Sequence, residues 1–296
     1  DYRHPDFQNA SGSTRILAYW DQSLPFAQLT ESNTNTFYNL KNNEENNISS
    51  RNLTIDNPYH LGIIFSEEYL NQLLTTEKLT SSSEDISSRN TELYHPSEDI
   101  SGHGTHIAGI CAGNGRASNG NNQGVAPESS LIVVKLKNEN ASIYTDYANL
   151  MMAVDFAVRF ASSRSLPLSI NISYGSNDGS HTGNSLLELF MEQVSLYGKN
   201  VISVATGNEG LSRRHSFLNI LSSVHSSNQT TLQIYSSKPN TLSSQNTYEQ
   251  SIAFSIAPGE RSLYLEIWQT FADDFSYELF APSGLESFPF PVSPGI

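Results

Sequence analysis

The chain is short of cysteine, of basic residues and of long apolar runs, and each shortage closes off a class of protein. Cys111 is the only cysteine in 296 residues, so neither an intramolecular disulfide nor a multi-cysteine zinc site can form. A lone thiol fits a reducing compartment, or a bacterial exported protein built without disulfides. Lys and Arg total 16 against 30 Asp and Glu, a formal charge of −14. That balance argues against a nucleic-acid groove, which needs clustered cations to displace counterions. It favours instead the approach of a basic partner segment through a negative surface field. No stretch nears the roughly 18 apolar residues of a membrane-spanning helix. Charged residues make up 16% and hydrophobic ones 37%, more apolar material than a disordered polyampholyte carries. The length allows one large α/β domain or two smaller ones.

What is present alternates between strand and helix patterns. Ile16-Leu-Ala-Tyr-Trp20 reads as a buried strand running into a polar turn at Asp21-Gln-Ser. Residues 31–57 and 80–99 are polar and read as surface loops. Between them, residues 66–79 read as a helix capped by Ser66, with Glu67 and Glu68 in its first turn and Tyr69, Leu70, Leu73 and Leu74 on one face. Residues 102–112 open with glycines and continue as a small-residue helix. Residues 131–136 form a β-branched run expected of a strand covered on both faces. Ser142 can cap a helix with Ile143, Tyr147, Leu150, Met151, Val154 and Val158 at helical period. Strands at 168–172 and 201–205 flank a helix at 186–197. This order predicts an α/β fold with a parallel sheet and right-handed crossovers. Beyond about residue 215, short period-2 segments such as Leu232-Gln-Ile-Tyr and Phe275-Ser-Tyr-Glu-Leu-Phe predict an antiparallel β-sandwich. The expected division is 1–215 and 216–296.

Two strings carry chemistry. In Gly102-His-Gly-Thr-His-Ile-Ala-Gly109, a histidine flanked by glycines at a loop-to-helix junction can present its imidazole above a sheet edge, and Gly104 allows close approach. His103 and His106 stand three apart, not at the four-residue spacing of a metal-binding helical pair, and no Glu lies between them. His106 reads as a buried helix histidine and Cys111 as a core filler. In Val201-Ile-Ser-Val-Ala-Thr-Gly-Asn-Glu-Gly210, a parallel strand leads to Asn208 near its carboxyl end, where open α/β sheets place their sites. A side-chain amide there can donate to a developing oxyanion.

In this order the two strings resemble the subtilisin-like (S8) serine protease family, over residues 1 to about 210. The resemblance implies that His103 is the general base and Asn208 the oxyanion donor. Ile170-Asn-Ile-Ser-Tyr-Gly175 resembles the strand lining the substrate cleft, with Ser173, Tyr174 and Gly175 bordering the side chain before the scissile bond. Ala205, Thr206 and Gly207 join the expected substrate-binding set. Gly124-Val-Ala-Pro127 resembles the lead into the next strand. Within the family, residues 16–23, 59–74, 176–181 and 210–215 look closest to the clostridial spore-germination (Csp) subtilases. That branch carries a jelly-roll insertion, which the β-rich residues after 220 resemble. A bacterial, exported or spore-associated setting and a protein or peptide substrate follow from the resemblance. The Asn/Gly loop 114–123 resembles a place where some subtilases bind calcium. It holds no carboxylate, so a cation would depend on amides and carbonyls, and no cofactor is expected.

The family also needs an Asp and a Ser, in the chain order Asp, His, Ser. No Asp-[Ser/Thr]-Gly and no Gly-Thr-Ser-x-Ala occurs in the sequence. Asp1 resembles a position about four residues beyond the catalytic aspartate, Asp21 is a tempting substitute lacking the glycine, and Ser283 reads as a turn serine. The chain opens on Asp1 rather than Met and reads as a piece of a longer protein, inactive by itself. The alternative is a non-catalytic subtilase-fold regulator; a third reading is a β-sandwich binding module on an α/β carrier.

Overall fold

A computed structural model describes residues 1–26, 57–82, 95–137, 143–175, 177–196, 199–208, 210, 230–236, 248–254, 265–268 and 275–280. The chain divides into two units. The first joins Asp1–Tyr174 with Leu186–Ala205; the second joins Gly175–Ser185 with Thr206–Ile296.

In the first unit, the apolar run at Ile16 becomes β1 (Ile16–Asp21). It is the centre of a three-stranded sheet, between β2 (Ile63–Ser66) and β3 (Leu131–Lys135). β3 runs parallel to β1 and β2 antiparallel, so the sheet is mixed where a parallel one was expected. β2 leads directly into α1 (Glu67–Ser82). Ser66 does cap it: its Oγ accepts from the Tyr69 amide at 3.2 Å, satisfying one of the amides a helix start leaves open. Tyr69, Leu70, Leu73 and Leu74 then pack with Phe65, Ile63, Ile16, Tyr19 and Phe7 in one core.

On the other side of the sheet lies α3 (Ile143–Ser163), which follows α2 (His103–Ala112). α3 is buried along two stripes. Phe156 and Phe160 pack with Trp20, Ala18 and Ile64. Leu150 and Val154 pack instead with Ile172 and Val194, on β4 (Leu168–Ile172) and α4 (Leu186–Leu196). The expected stripe found the second face and missed the phenylalanines. Ser142, its expected cap, lies outside the described residues.

β4 pairs in parallel with β5 (Asn200–Val204) as a separate two-stranded sheet. Ile170, Ile172 and Ile202 face the α3–α4 core, whereas Ser169, Asn171, Val201 and Ser203 are exposed. Among the described residues, helices pack on one face of β4–β5, whereas β3 is met on both faces, Leu131 and Val133 packing with the α1 core and Ile132 and Val134 with the Trp20 core.

In the second unit, β6 (Thr230–Ser236) lies between β7 (Tyr248–Phe254) and β8 (Phe275–Phe280), antiparallel to both. The described residues show this one antiparallel sheet, and residues 265–268 stand outside it. Glu266 Oε2 accepts from the Gly179 amide at 2.8 Å and from Trp268 Nε1 at 3.2 Å, tying the 177–185 segment to this unit.

Candidate active site

His103 is the first residue of α2. Gly102 before it takes φ +69° with open space around it, a left-handed conformation that a side chain would strain. That turn lets the helix begin abruptly and leaves the imidazole exposed. The His103 amide donates to Ser101 Oγ at 3.2 Å. Its Nε2 lies 3.4 Å from the Ser173 carbonyl oxygen, to which it can donate when that nitrogen carries the proton. The ring thus reaches from a helix beside the first sheet to the segment leaving β4. Gly104, expected to permit a close approach, would meet only Asp99 Oδ2, at 3.5 Å, if it bore a Cβ; that is ordinary contact. Gly124 is the tight one: a Cβ there would lie 2.5 Å from the Gly109 carbonyl.

The loop ahead of His103 is held by residues that pattern reading passed over. Asp99 Oδ2 accepts from the Thr105 amide at 2.8 Å and the Thr105 hydroxyl at 2.6 Å. Burial pushes the Asp99 carboxyl up, but the hydrogen bonds from Thr105 and Ser101 outweigh it and hold the carboxyl below its usual range. Asp21, the tempting aspartate, is wholly buried. Its oxygens go to Ser23 and Ser97, not to the histidine. His106 is exposed, against the expectation of a buried ring.

Ser173 and Tyr174 follow the end of β4 in the first unit. Asn171 Nδ2 donates to Ser173 Oγ at 3.0 Å. The Tyr174 hydroxyl donates to Asp146 Oδ2 at 3.0 Å, and burial together with that carboxylate raises the phenol's pKa. Ala205 extends the β4–β5 ladder by one bond, its amide donating to the Ile172 carbonyl at 3.0 Å. Gly175, Thr206, Gly207 and Asn208 fall in the second unit and are exposed. Asn208 stands four residues beyond the end of β5 rather than on the strand. Ser283 lies outside the described residues.

A match to the family model described as "Subtilase family" spans residues 1–266. The chain belongs to the subtilase family. It is similar to two serine proteases of Bacillus subtilis (strain 168). One is serine protease AprX, 37% identical over 76 residues, which are 26% of this chain and 16% of AprX. The other is the major intracellular serine protease, 48% identical over 61 residues, which are 20% and 18% of the two chains. Among solved structures, the Clostridium perfringens CspB protease superposes with a TM-score of 0.57 at 26% identity, covering 99% of this chain and 46% of that one. The subtilase chain therefore spans under half the length of that neighbour.

In this subtilase's 114–123 loop, several oxygens that a calcium ion would need already accept from the chain's own donors. Asp6, nearly buried, reaches in with a carboxylate, but Oδ1 accepts the Ala117 amide at 2.7 Å. Asn114 Oδ1 accepts the Arg116 amide at 3.2 Å. The Gly115 carbonyl accepts from Ser118 and Gly120. Beside the loop, Arg15 supplies a fixed cation. Its guanidinium donates to the Asp6 and Ala112 carbonyls at 2.9 Å each and to the Ser129 carbonyl at 2.6 Å. A hard cation takes six or more convergent oxygens, and here Asp6 Oδ1, Asn114 Oδ1 and the Gly115 carbonyl already accept from the chain. Among the described residues, no three His, Cys, Asp or Glu side chains gather as a metal-binding group.

Proposed function

We propose that this chain is the histidine- and asparagine-bearing part of a subtilisin-like serine endopeptidase. The observation that supports it best is His103 at the glycine-opened start of α2, its Nε2 3.4 Å from the Ser173 carbonyl on the segment that resembles the family's substrate strand. In this reading, His103 Nε2 takes the proton of a serine hydroxyl as the oxygen attacks the peptide carbonyl. It returns that proton to the leaving amine, and a water then repeats the sequence to release the acyl group. Asn208 donates to the oxyanion of each tetrahedral intermediate. The corresponding donor of a subtilisin contributes about 3 kcal/mol. Ser173, Tyr174, Gly175, Ala205, Thr206 and Gly207 border the bound peptide, and His103 and Asn208 act on its scissile bond. The substrate is a protein or peptide. The serine and the orienting aspartate belong to motifs this sequence does not contain, so the chain alone is inert in this reading. Residues 216–296 form an inserted β-rich, jelly-roll-like region. The similarity to a protein titled CspB protease supports a spore-associated role.

Labelling of the full-length protein with a fluorophosphonate, beside a His103→Ala variant, tests the reading. Labelling that disappears in the variant is the expected result. A full-length protein that stays unlabelled overturns it and leaves the non-catalytic regulator.

A further inference from the structure

We infer that Asp21 is a positioning residue for His103, acting through Ser97 and the loop that leads into α2. The inference rests on the reading of His103 as the reacting base.

Asp21 ends β1 and is 0% exposed. A buried carboxylate is tolerated only where donors replace its lost water, and four donors meet this one. Oδ1 accepts from the Ser23 amide at 3.0 Å and the Ser23 hydroxyl at 2.5 Å. Oδ2 accepts from the Ser97 amide at 2.7 Å and the Ser97 hydroxyl at 2.6 Å. Hydrogen bonds to an ionised acceptor are shorter and stronger than neutral ones, so Ser97 is held hard against the end of the strand.

The two residues after Ser97 are tied as well, each to a different element. The Glu98 carbonyl accepts Lys135 Nζ at 2.7 Å, from the residue that pairs with Asp21 across β1 and β3. Asp99 closes onto Thr105 in α2, and its carbonyl accepts the Gly102 amide at 3.1 Å. Ser97, Glu98 and Asp99 thus bind β1, β3 and α2 in succession, and His103 follows within the next turn of chain. The ring, however, reaches Ser173, beyond the end of β4 in the other sheet. Its backbone is fixed to one sheet while its nitrogen addresses a segment of the other. The register between them depends on the 97–102 loop, and Asp21 is the buried charge on which that loop starts. Ordinary loop closure would be met by a neutral residue at the surface; a fully buried carboxylate with every donor aimed from the loop or its neighbour points to a demand for fixed position.

The test uses the chain with ¹⁵N-labelled histidine. The His103 ring signals are assigned by their loss in His103→Ala. In Asp21→Asn, whose amide group turns donors against Ser23 and Ser97, the ring ¹⁵N shifts of His103 should move, while those of His4 and His181 stay. Glu192→Gln, an exposed residue of α4, should leave His103 unchanged. Ser97→Ala removes one donor and serves if Asp21→Asn does not fold; it should move the same signals by less. In the full-length protein, Asp21→Asn should slow fluorophosphonate labelling at least tenfold with peptide KM unchanged. A folded Asp21→Asn, or failing that a folded Ser97→Ala, with His103 signals identical to the parent overturns the inference. If the parent full-length protein does not label, the catalytic reading fails, and the ring signals still decide the positioning role.

Discussion

Trp20, on β1, is fully buried, whereas Val201, on β5, is 62% exposed. Both stand on strands of the first unit, and the contrast extends to the sheets around them. The β1–β3 sheet has a core on each side: α1 and its leucines on one, Phe156 and Phe160 of α3 on the other. Trp20 stacks on Tyr59 at 4.9 Å between centroids, meets Phe156 edge-on at 5.3 Å and donates its Nε1 to the Leu61 carbonyl at 2.7 Å. Among the described residues, the β4–β5 pair is held on one face, by Ile170, Ile172 and Ile202. The lesson is that the aromatic core sits on one sheet, whereas the candidate site draws on both. The first sheet carries the aromatic core and the buried Asp21; the second presents Ser173 toward His103.

Trp20→Ala should break the contrast most severely. Truncating a buried aromatic costs about 4 kcal/mol, measurable as a drop in the urea midpoint. Arg15→Ala comes next. It strips the donor from the carbonyls of Asp6, Ala112 and Ser129 and should cost about 2 kcal/mol. In the same experiment, EGTA should leave the melting temperature of the parent chain unmoved, since the 114–123 loop closes on its own amides. A fall with EGTA, reversed by calcium, would refute that account.

A smaller effect is expected from Thr105→Val. Asp99's carboxyl is held below its usual range in the folded chain, so its contribution is complete above the unfolded pKa of about 4 and is lost as pH falls through the lower folded value. Removing the Thr105 hydroxyl moves the folded value back up. The variant should therefore melt below the parent near neutral pH, and the two should converge in strong acid. Parallel curves across the whole range would show that the hydroxyl acts without the carboxylate. Least of all, Val201→Ser on the open face should change the urea midpoint by under about 0.5 kcal/mol equivalent. A large loss there would mean that this face is covered in solution.

Periodicity made much of this legible, and its gaps have physical causes. The run at Ile16 and the stripe Tyr69–Leu70–Leu73–Leu74 announce β1 and α1 because one buried face imposes one period. β2 is four residues, all buried, too short to alternate and continuous with a helix cap. Phe156 and Phe160 escaped because α3 is buried on two sides, which blurs a single stripe. His103 was legible through its glycines. Asp21 was not: a polar residue after an apolar run looks like the start of a turn, and only the donors that fold back from Ser97 reveal a buried charge. Of the candidate site, His103, Ser173, Tyr174 and Ala205 gather in the first unit, while Gly175, Thr206, Gly207 and Asn208 belong to the second. The oxyanion assignment of Asn208 therefore still rests on its resemblance to the family motif.

The burial of Trp20 has an optical consequence. The chain has two tryptophans, one sealed in the aromatic core of the first unit and the other, Trp268 of the second, 58% exposed. Their emission separates by environment, blue for the indole in the core and red for the one in water. A soluble quencher reaches Trp268 first and Trp20 only as the first unit opens. The protein therefore carries one native fluorescent reporter for each unit, without any added label.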